Sequence, residues 1–436
     1  MIVTKFGGSS LADSAQFQKV KSIITANDQR RVVVVSAPGK RFGEDNKITD
    51  LLYTLSGHLK YGVPDAGIRD AIAARYRDIC ESLSLQIDIA AELDEFEKSL
   101  SKTTDKSYLV SRGEYFCARL MSAYLGYAFV DAAEIIRFAF DGSLDLEESE
   151  RLTKEAFAKY GRMVVPGFYG AYPNGDIHLF SRGGSDVTGA YLASFLQADA
   201  YENWTDVSGI CAADPRIANH PKAMSTITYA ELRELSYMGA SVLHEESILP
   251  VQEKEITIHL RNTEDPDHEG TLITNDAGQG TPVTGIAGKK GFLSFTVHKK
   301  HMSSEVGFLR RVLSIFEKYG VNIEHTPSGM DSISVITAEE QASRYVHAII
   351  SEIEEVPGSH VILERGISLI AVVGRNMVGH AGICAAIFSI LGEQGINVKM
   401  LAQAPDEMTV IIGISDENHE KAIAALYEGL CKAELL

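Results

Sequence analysis

The feature that most restricts this chain is an internal repeat. A constant offset of 75 residues aligns the last third with itself, without gaps. Gly291 pairs with Gly366, Met302 with Met377, Gly307 with Gly382, Gly320 with Gly395 and Asn322 with Asn397. Ile333-Ser334-Val335-Ile336 pairs with Met408-Thr409-Val410-Ile411. Each copy reads as a strand, a Gly-containing loop, an amphipathic helix, a Gly-led second strand, a third strand and a helix. That is a βαββαβ pattern, the split-βαβ sandwich. Chance likeness between two small α+β units does not account for five matched positions and a matched strand. A first strand near Thr284 to Ala287 would belong to the second copy and interleave the two.

Before the repeat, short β-rich runs alternate with helical stretches. Ile2 to Phe6 reads as a strand, Gly7-Gly8-Ser9-Ser10 as a turn, and Ser14 to Ile24 as a helix. Val32 to Val35 is a continuous apolar run, as in a parallel strand buried on both faces. Met163 to Val165 and Ala200 to Trp204 read as later strands. This alternation predicts a three-layer α/β sheet with its ligands at the C-terminal strand ends. Residues 60–105 read as charged helices, either a lid or an insertion. Polar, turn-prone runs at 264–270 and 275–280 suggest the boundary before the repeat.

The length, 436 residues, suggests two or three domains. Apolar residues make up 45% and charged residues 23%, so sizeable cores can form. The formal charge of −18 repels nucleic-acid backbones and anionic lipid, so neither nucleic acid nor membrane is expected as a partner. The five scattered cysteines form no CxxC motif. They fit a reducing compartment, and no apolar run reaches spanning length. A soluble cytoplasmic protein is expected.

Several motifs have chemical content. Lys5-Phe6-Gly7-Gly8-Ser9-Ser10 puts a cation at a strand end, with glycines that let backbone N–H groups approach phosphate. It is not a P-loop, and an ordinary βα turn also fits. Ser181-Arg182-Gly183-Gly184-Ser185-Asp186 opens a helix and suits an anion; Ser185 or Asp186 could instead simply cap that helix. Ser111-Arg112-Gly113-Glu114 reads first as a capping box, with Glu114 at N3. Facing a cleft, Glu114 could also hold a substrate ammonium. Thr205-Asp206-Val207-Ser208-Gly209-Ile210 and Ala213-Asp214-Pro215-Arg216 offer carboxylates and hydroxyls, or plain turn chemistry.

In order and spacing these motifs resemble the amino-acid kinase family, and within it the aspartate kinases. KFGGSS at 5–10, VVVVSAPGK at 32–40, RGE at 112–114, SRGGSD at 181–186, TDVSGICAADPR at 205–216 and ELRELSYMGASVLH at 231–244 all take part. The repeat is similar to that family's paired ACT modules. The resemblance implies a three-layer αβα kinase domain over 1–280, a first α+β ACT domain over 290–362, and a second over 363–436 that also includes 283–289. The activity it implies is transfer of the ATP γ-phosphate, with Mg²⁺, to the side chain of L-aspartate. That reaction opens lysine, threonine and methionine biosynthesis.

Residue by residue, the resemblance implies that Lys5 and Asp186 are catalytic and that Gly7, Gly8 and Ser9 bind phosphate. Ser36, Thr49, Glu114, Phe168, Arg182, Gly184 and Ser185 would bind aspartate. Thr205, Asp206, Asp214 and Arg216 would contact ATP. No metal held directly by protein ligands is expected. Met302, Gly307, Phe308, Leu309, Ile323, Glu324 and Ser328 match the effector site of lysine-inhibited members, which implies L-lysine as allosteric inhibitor. Pairing of ACT modules across subunits implies a homodimer or homotetramer.

Two departures stand out. Ser241 occupies the position of a usual lysine, with Glu245 where a proline is usual; Arg216, Lys222 or Lys40 would have to supply the charge. Cys211 stands where many members carry Tyr. His244 reads as structural. Competing readings are a kinase for glutamate, acetylglutamate or a nucleotide, and a non-catalytic amino-acid sensor. Fusion to a homoserine dehydrogenase is not expected at this length.

Overall fold

The computed structural model describes residues 1–436 except Arg182, Ser241, Val242 and His244. Two compact units emerge. The first comprises residues 1–210, 223–229 and 242–277, and the second 211–222, 230–241 and 278–436.

The first unit is built on eight strands: β1 (Ile2–Phe6), β2 (Arg30–Val35), β3 (Ala128–Phe129), β4 (Met163–Pro166), β7 (Ala200–Thr205), β8 (Thr226–Thr228), β9 (Thr257–Asn262) and β10 (Thr271–Thr274). A separate hairpin pairs β5 (Tyr169–Ala171) with β6 (Ile177–Leu179). The sheet order is β3-β4-β2-β1-β7-β9-β10-β8. All neighbours run parallel except β9 and β10. The valines of β2 are fully buried, as a strand covered on both faces requires. Phe6, Val33 and Val35 pack with the helices Ser14–Thr25, Ile48–Tyr61 and Lys106–Leu125. Lys5 points to the other face, where the helix Gly184–Phe195 lies.

Residues 60–105 form the helices Ala66–Ser82 and Ile89–Ser99. Ile72, Tyr76, Ile79, Leu93 and Phe96 join the same core as Phe6 and Val33. This segment is therefore a permanent part of the unit, not a detachable lid.

The second unit carries one antiparallel sheet in the order β12-β11-β13-β15-β14. Its strands are β11 (Gly285–His298), β12 (Ser332–Ala338), β13 (His360–Val373), β14 (Met400–Gln403) and β15 (Thr409–Ser415). The 75-residue offset recurs as geometry. The helices Phe308–Lys318 and Ile383–Glu393 start in register, each after a left-handed glycine, Gly307 at φ 81° and Gly382 at φ 100°. Gly320 and Gly395 both turn the chain left-handed at the helix ends. Met302 and Met377 are both buried.

Two separate cores sit under this sheet. Ile286 of β11, with Val283 just before the strand, packs in the second core, while Leu293, Phe295 and Val297 of the same β11 pack in the first. One register difference from the expected pattern appears. After Gly320 the first copy makes only isolated bridges, at His325 and Ser328, where the second copy forms β14. Pro327, which lacks an N–H, interrupts the ladder there.

The second unit also takes two short segments from within residues 1–280. Ala212, Ala213 and Ala218 enter its second core, and Ile286 N–H donates to the Ala212 carbonyl at 2.7 Å. Glu231, fully buried, accepts from Arg375 Nη1 at 2.9 Å and from Thr284 Oγ1 at 2.6 Å. The unit is thus discontinuous in sequence, unlike a clean break at 280.

Candidate active site

The C-terminal ends of β1, β2, β4 and β7 open onto a cleft of about 960 Å³ in the first unit. At the end of β1 come Lys5 and the turn Gly7-Gly8-Ser9; after β2, Ser36 to Lys40; after β4, Phe168; at the end of β7, Thr205 and then Asp206. Lys47, Thr49, Asp50 and Tyr53 line it from the start of the helix Ile48–Tyr61. The wall between the first two loops is tight. Gly39 N–H donates to the Gly8 carbonyl at 2.8 Å, and a Cβ on Gly39 would lie 2.6 Å from the Gly8 carbonyl carbon.

Lys5 Nζ lies 2.6 Å from Asp186 Oδ1, with both side chains largely buried. Asn203 Nδ2 donates to the same oxygen at 2.8 Å. Asp186 therefore holds Lys5 in one place at the mouth of the glycine turn. The helix Gly184–Phe195 starts from Gly183 in a left-handed conformation, with no side-chain cap. The capping reading of Ser185 or Asp186 is thereby corrected. The Asp186 and Val187 amides donate to the Gly183 carbonyl at 2.8 and 3.0 Å, so the amides this helix end offers a ligand are those of Gly184 and Ser185, and Gly183, Gly184 and Ser185 line the cleft. Phe168 sits at φ 79°, unusual for a non-glycine residue. Its amide donates to Thr188 Oγ1 at 3.0 Å.

The capping-box reading of Ser111-Arg112-Gly113-Glu114 is also corrected. These residues lie inside the helix Lys106–Leu125, which is capped by Asp105 accepting from Tyr108 N–H. Buried at mid-helix, Glu114 cannot serve as an N3 partner. Its Oε1 accepts from Ala37 N–H at 3.1 Å, and its Oε2 has no hydrogen-bond partner among the described residues. Burial pushes this carboxyl up to about 8. A buried carboxylate with an orphaned oxygen at a cleft is built to receive a cation.

The cleft thus brings together Lys5, Gly7, Gly8, Ser9, Ser36, Thr49, Glu114, Phe168, Gly184, Ser185, Asp186, Thr205 and Asp206. Arg182, Ser241 and His244 lie outside the described residues. Asp214 and Arg216 are not among the lining residues. They pair with each other at 2.6 Å and belong to a segment of the second unit. Sequence reasoning missed Gly39, Lys47, Asp50 and Tyr53 as site residues and named Lys40 only as a substitute cation. The spacing of 47, 50 and 53, one helix face beside Thr49, was the available signal.

In the second unit, Met302 and Phe308 are buried core residues and Leu309 is exposed. Glu324 accepts from the Tyr237 hydroxyl. A separate hollow of about 730 Å³ lies along the helix Phe308–Lys318 and touches only Ile323 of the expected effector set. Among the described residues, no three His, Cys, Asp or Glu side chains converge as a metal site, and no helix is long and apolar enough to cross a membrane.

A cation clamped beside a glycine turn, an open helix N-terminus and a buried carboxylate together suit phosphoryl transfer to a small amine-bearing acid. Residues 1–262 match the model of the amino acid kinase family, and residues 370–430 match an ACT domain. Aspartokinase 3 of Bacillus subtilis is 36% identical over 98% of both chains. The lysine-sensitive aspartokinase 3 of Escherichia coli is 25% identical over 99% of both. The crystal structure of Clostridium acetobutylicum aspartate kinase, described as an allosteric enzyme, superimposes with a TM-score of 0.89 at 44% identity, covering 98% of this chain and 99% of that one.

Proposed function

Because this chain belongs to the amino acid kinase family, and within it to the aspartokinases, we propose that its cleft transfers the ATP γ-phosphoryl group to the side-chain carboxylate of L-aspartate, giving 4-phospho-L-aspartate. The observation that carries this reading is Glu114. An unpartnered, buried carboxylate oxygen shares one cleft with the Lys5–Asp186 pair. The first suits the substrate ammonium, the second the transferring phosphoryl group.

The acceptor carboxylate is ionised at neutral pH, so no general base is needed. Positioning and charge neutralisation carry the step. Lys5 meets the developing charge, held by Asp186. The Gly7 amide is taken by the Trp204 carbonyl at 3.0 Å, so Gly7 shapes the turn while the amides of Gly8 and Ser9 cradle the phosphate, and Thr205 and Asp206 flank the nucleotide. Ser36, Thr49, Phe168, Gly184 and Ser185 enclose aspartate, with Arg182 as the partner of its α-carboxylate. Mg²⁺ brought by the nucleotide neutralises phosphate charge. Asp186 and Asp206 are hard oxygen donors suited to its water shell.

The second unit is assigned to feedback control by L-lysine, the end product of such a pathway, through a homodimer or homotetramer of its ACT modules in the cytoplasm. The lysine-sensitive relative and the allosteric Clostridium enzyme support this. Here Glu324, already engaged by Tyr237, is the carboxylate offered to the lysine ammonium.

The test is coupled ADP release with Mg-ATP and L-aspartate, with and without L-lysine, for the wild type and Lys5→Ala. Aspartate-dependent turnover, lowered by lysine and cut at least about 10²-fold in the variant, is expected. Turnover indifferent to lysine removes the effector and keeps the kinase. Saturable lysine binding with no aspartate turnover replaces the kinase with a sensor.

A further inference from the structure

We propose that Arg75 is a positioning residue for the phosphate-binding wall of the cleft, acting through Gly39 and Asp45. This rests on the kinase reading above. Arg75 lies in the helix Ala66–Ser82 and is only 4% exposed. It does not line the cleft. Its Nη1 donates to the Gly39 carbonyl at 2.7 Å and to the Ala12 carbonyl at 3.3 Å. Its Nη2 donates to Asp45 Oδ2 at 2.7 Å and to the Asn46 carbonyl at 3.5 Å. One guanidinium therefore ties the segment after β1 to the loop after β2.

That loop needs an anchor. From Lys40 to Lys47 every residue is exposed except Asp45. Arg41, from the loop itself, and Arg75, from behind it, hold the Asp45 carboxyl well below its ordinary range. The Gly39 amide meanwhile donates to the Gly8 carbonyl. Gly8, Gly39 and Lys40 all face the cleft, so the carbonyl that Arg75 grips belongs to the wall that meets phosphate.

The aspartate side is fixed by other bonds. Ser36 N–H donates to the Phe6 carbonyl, and Ala37 N–H to Glu114. Losing Arg75 should loosen the nucleotide side selectively. Lysine cannot replace it, because a single ammonium does not span acceptors on two sides as a planar fork does.

The full chain is tested as wild type, Arg75→Lys and Asp45→Asn. The readouts are calorimetric Mg-ADP affinity, separate KM values for Mg-ATP and L-aspartate, and melting temperature. Arg75→Lys is expected to melt cooperatively, to bind Mg-ADP about tenfold more weakly, and to lose up to about 10²-fold in kcat/KM for Mg-ATP. Its KM for aspartate should stay within about threefold. Asp45→Asn should move the same way by less, since the Gly39 and Ala12 contacts remain. A folded Arg75→Lys with wild-type Mg-ADP affinity overturns the proposal, as does an equal loss for both substrates that tracks melting. If Arg75→Lys does not fold, unchanged Mg-ADP affinity in Asp45→Asn overturns it. A wild type that binds Mg-ADP but ignores aspartate sinks only the substrate assignment; the Mg-ADP comparison still judges Arg75.

Discussion

Inside the long helix, Glu114 keeps its proton up to about pH 8, against an ordinary value of 4.5. Between those values the folded chain holds a proton that the unfolded chain has released. The stability this contributes is present below pH 4.5 and is lost as pH rises through 8. An ammonium placed against the orphaned Oε2 favours the ionised form. Binding of L-aspartate at pH 7 should therefore release close to one proton, visible as a buffer-dependent enthalpy in calorimetry. Glu114→Gln should abolish that release and weaken aspartate binding by about 10²-fold or more, because the ammonium then loses its counter-charge. A release equal in both proteins would remove Glu114 from the pocket. At this scale the residue types were legible in the sequence but the roles were not. The same four letters, S-x-x-E, serve a helix end or a helix middle, and only the position of Asp105 decides which.

At the scale of elements, the site depends on close approach of backbones. Gly39 meets Gly8 with no room for a methyl group, and both partners are main chain, so neither can yield cheaply. Gly39→Ala is expected to raise the KM for Mg-ATP about tenfold and to cost about 1–3 kcal/mol in stability, read by substrate kinetics and denaturant unfolding. Gly184→Ala drives a methyl into the Phe168 ring, at 2.4 Å from Cδ2. Phe168 lines the cleft on the side proposed for aspartate, so this variant should raise the aspartate KM more than the ATP KM. The strands themselves were readable, since Ile2–Phe6, Val32–Val35 and Met163–Val165 are short β-rich runs. The helices of 60–105 were readable as helices, but not their place as lid or insertion, because their burial comes from packing on other helices.

For the whole molecule, the second unit is one sheet carrying two cores. β11 and β13 each serve both cores, so neither repeat copy owns a complete set of strands. The unit should unfold in a single transition, followed by circular dichroism against temperature. Truncation after Gly280 strips Ala212, Ala213 and Ala218 of their apolar partners and removes Arg375 and Thr284 from the buried Glu231. Such a chain is expected to aggregate, whereas the intact chain stays in solution. A soluble, cooperatively folded fragment would contradict the discontinuous unit.

The sequence by itself determined the repeat, its period and the matched glycines, Gly307 with Gly382 and Gly320 with Gly395, that turn left-handed within it. Those properties follow from local backbone sterics, and glycine spacing records them directly. It also determined the layered α/β class and which loops carry cations, carboxylates and glycines at strand ends. Only the tertiary structure decided that Glu114 is buried with one oxygen unpartnered, that Asp186 holds Lys5, that Arg75 reaches Gly39 from a neighbouring helix, and that residues 211–222 and 230–241 fold with the C-terminal unit. Desolvation, ion pairing and shared cores depend on distances between residues remote in sequence, and no local pattern encodes those distances.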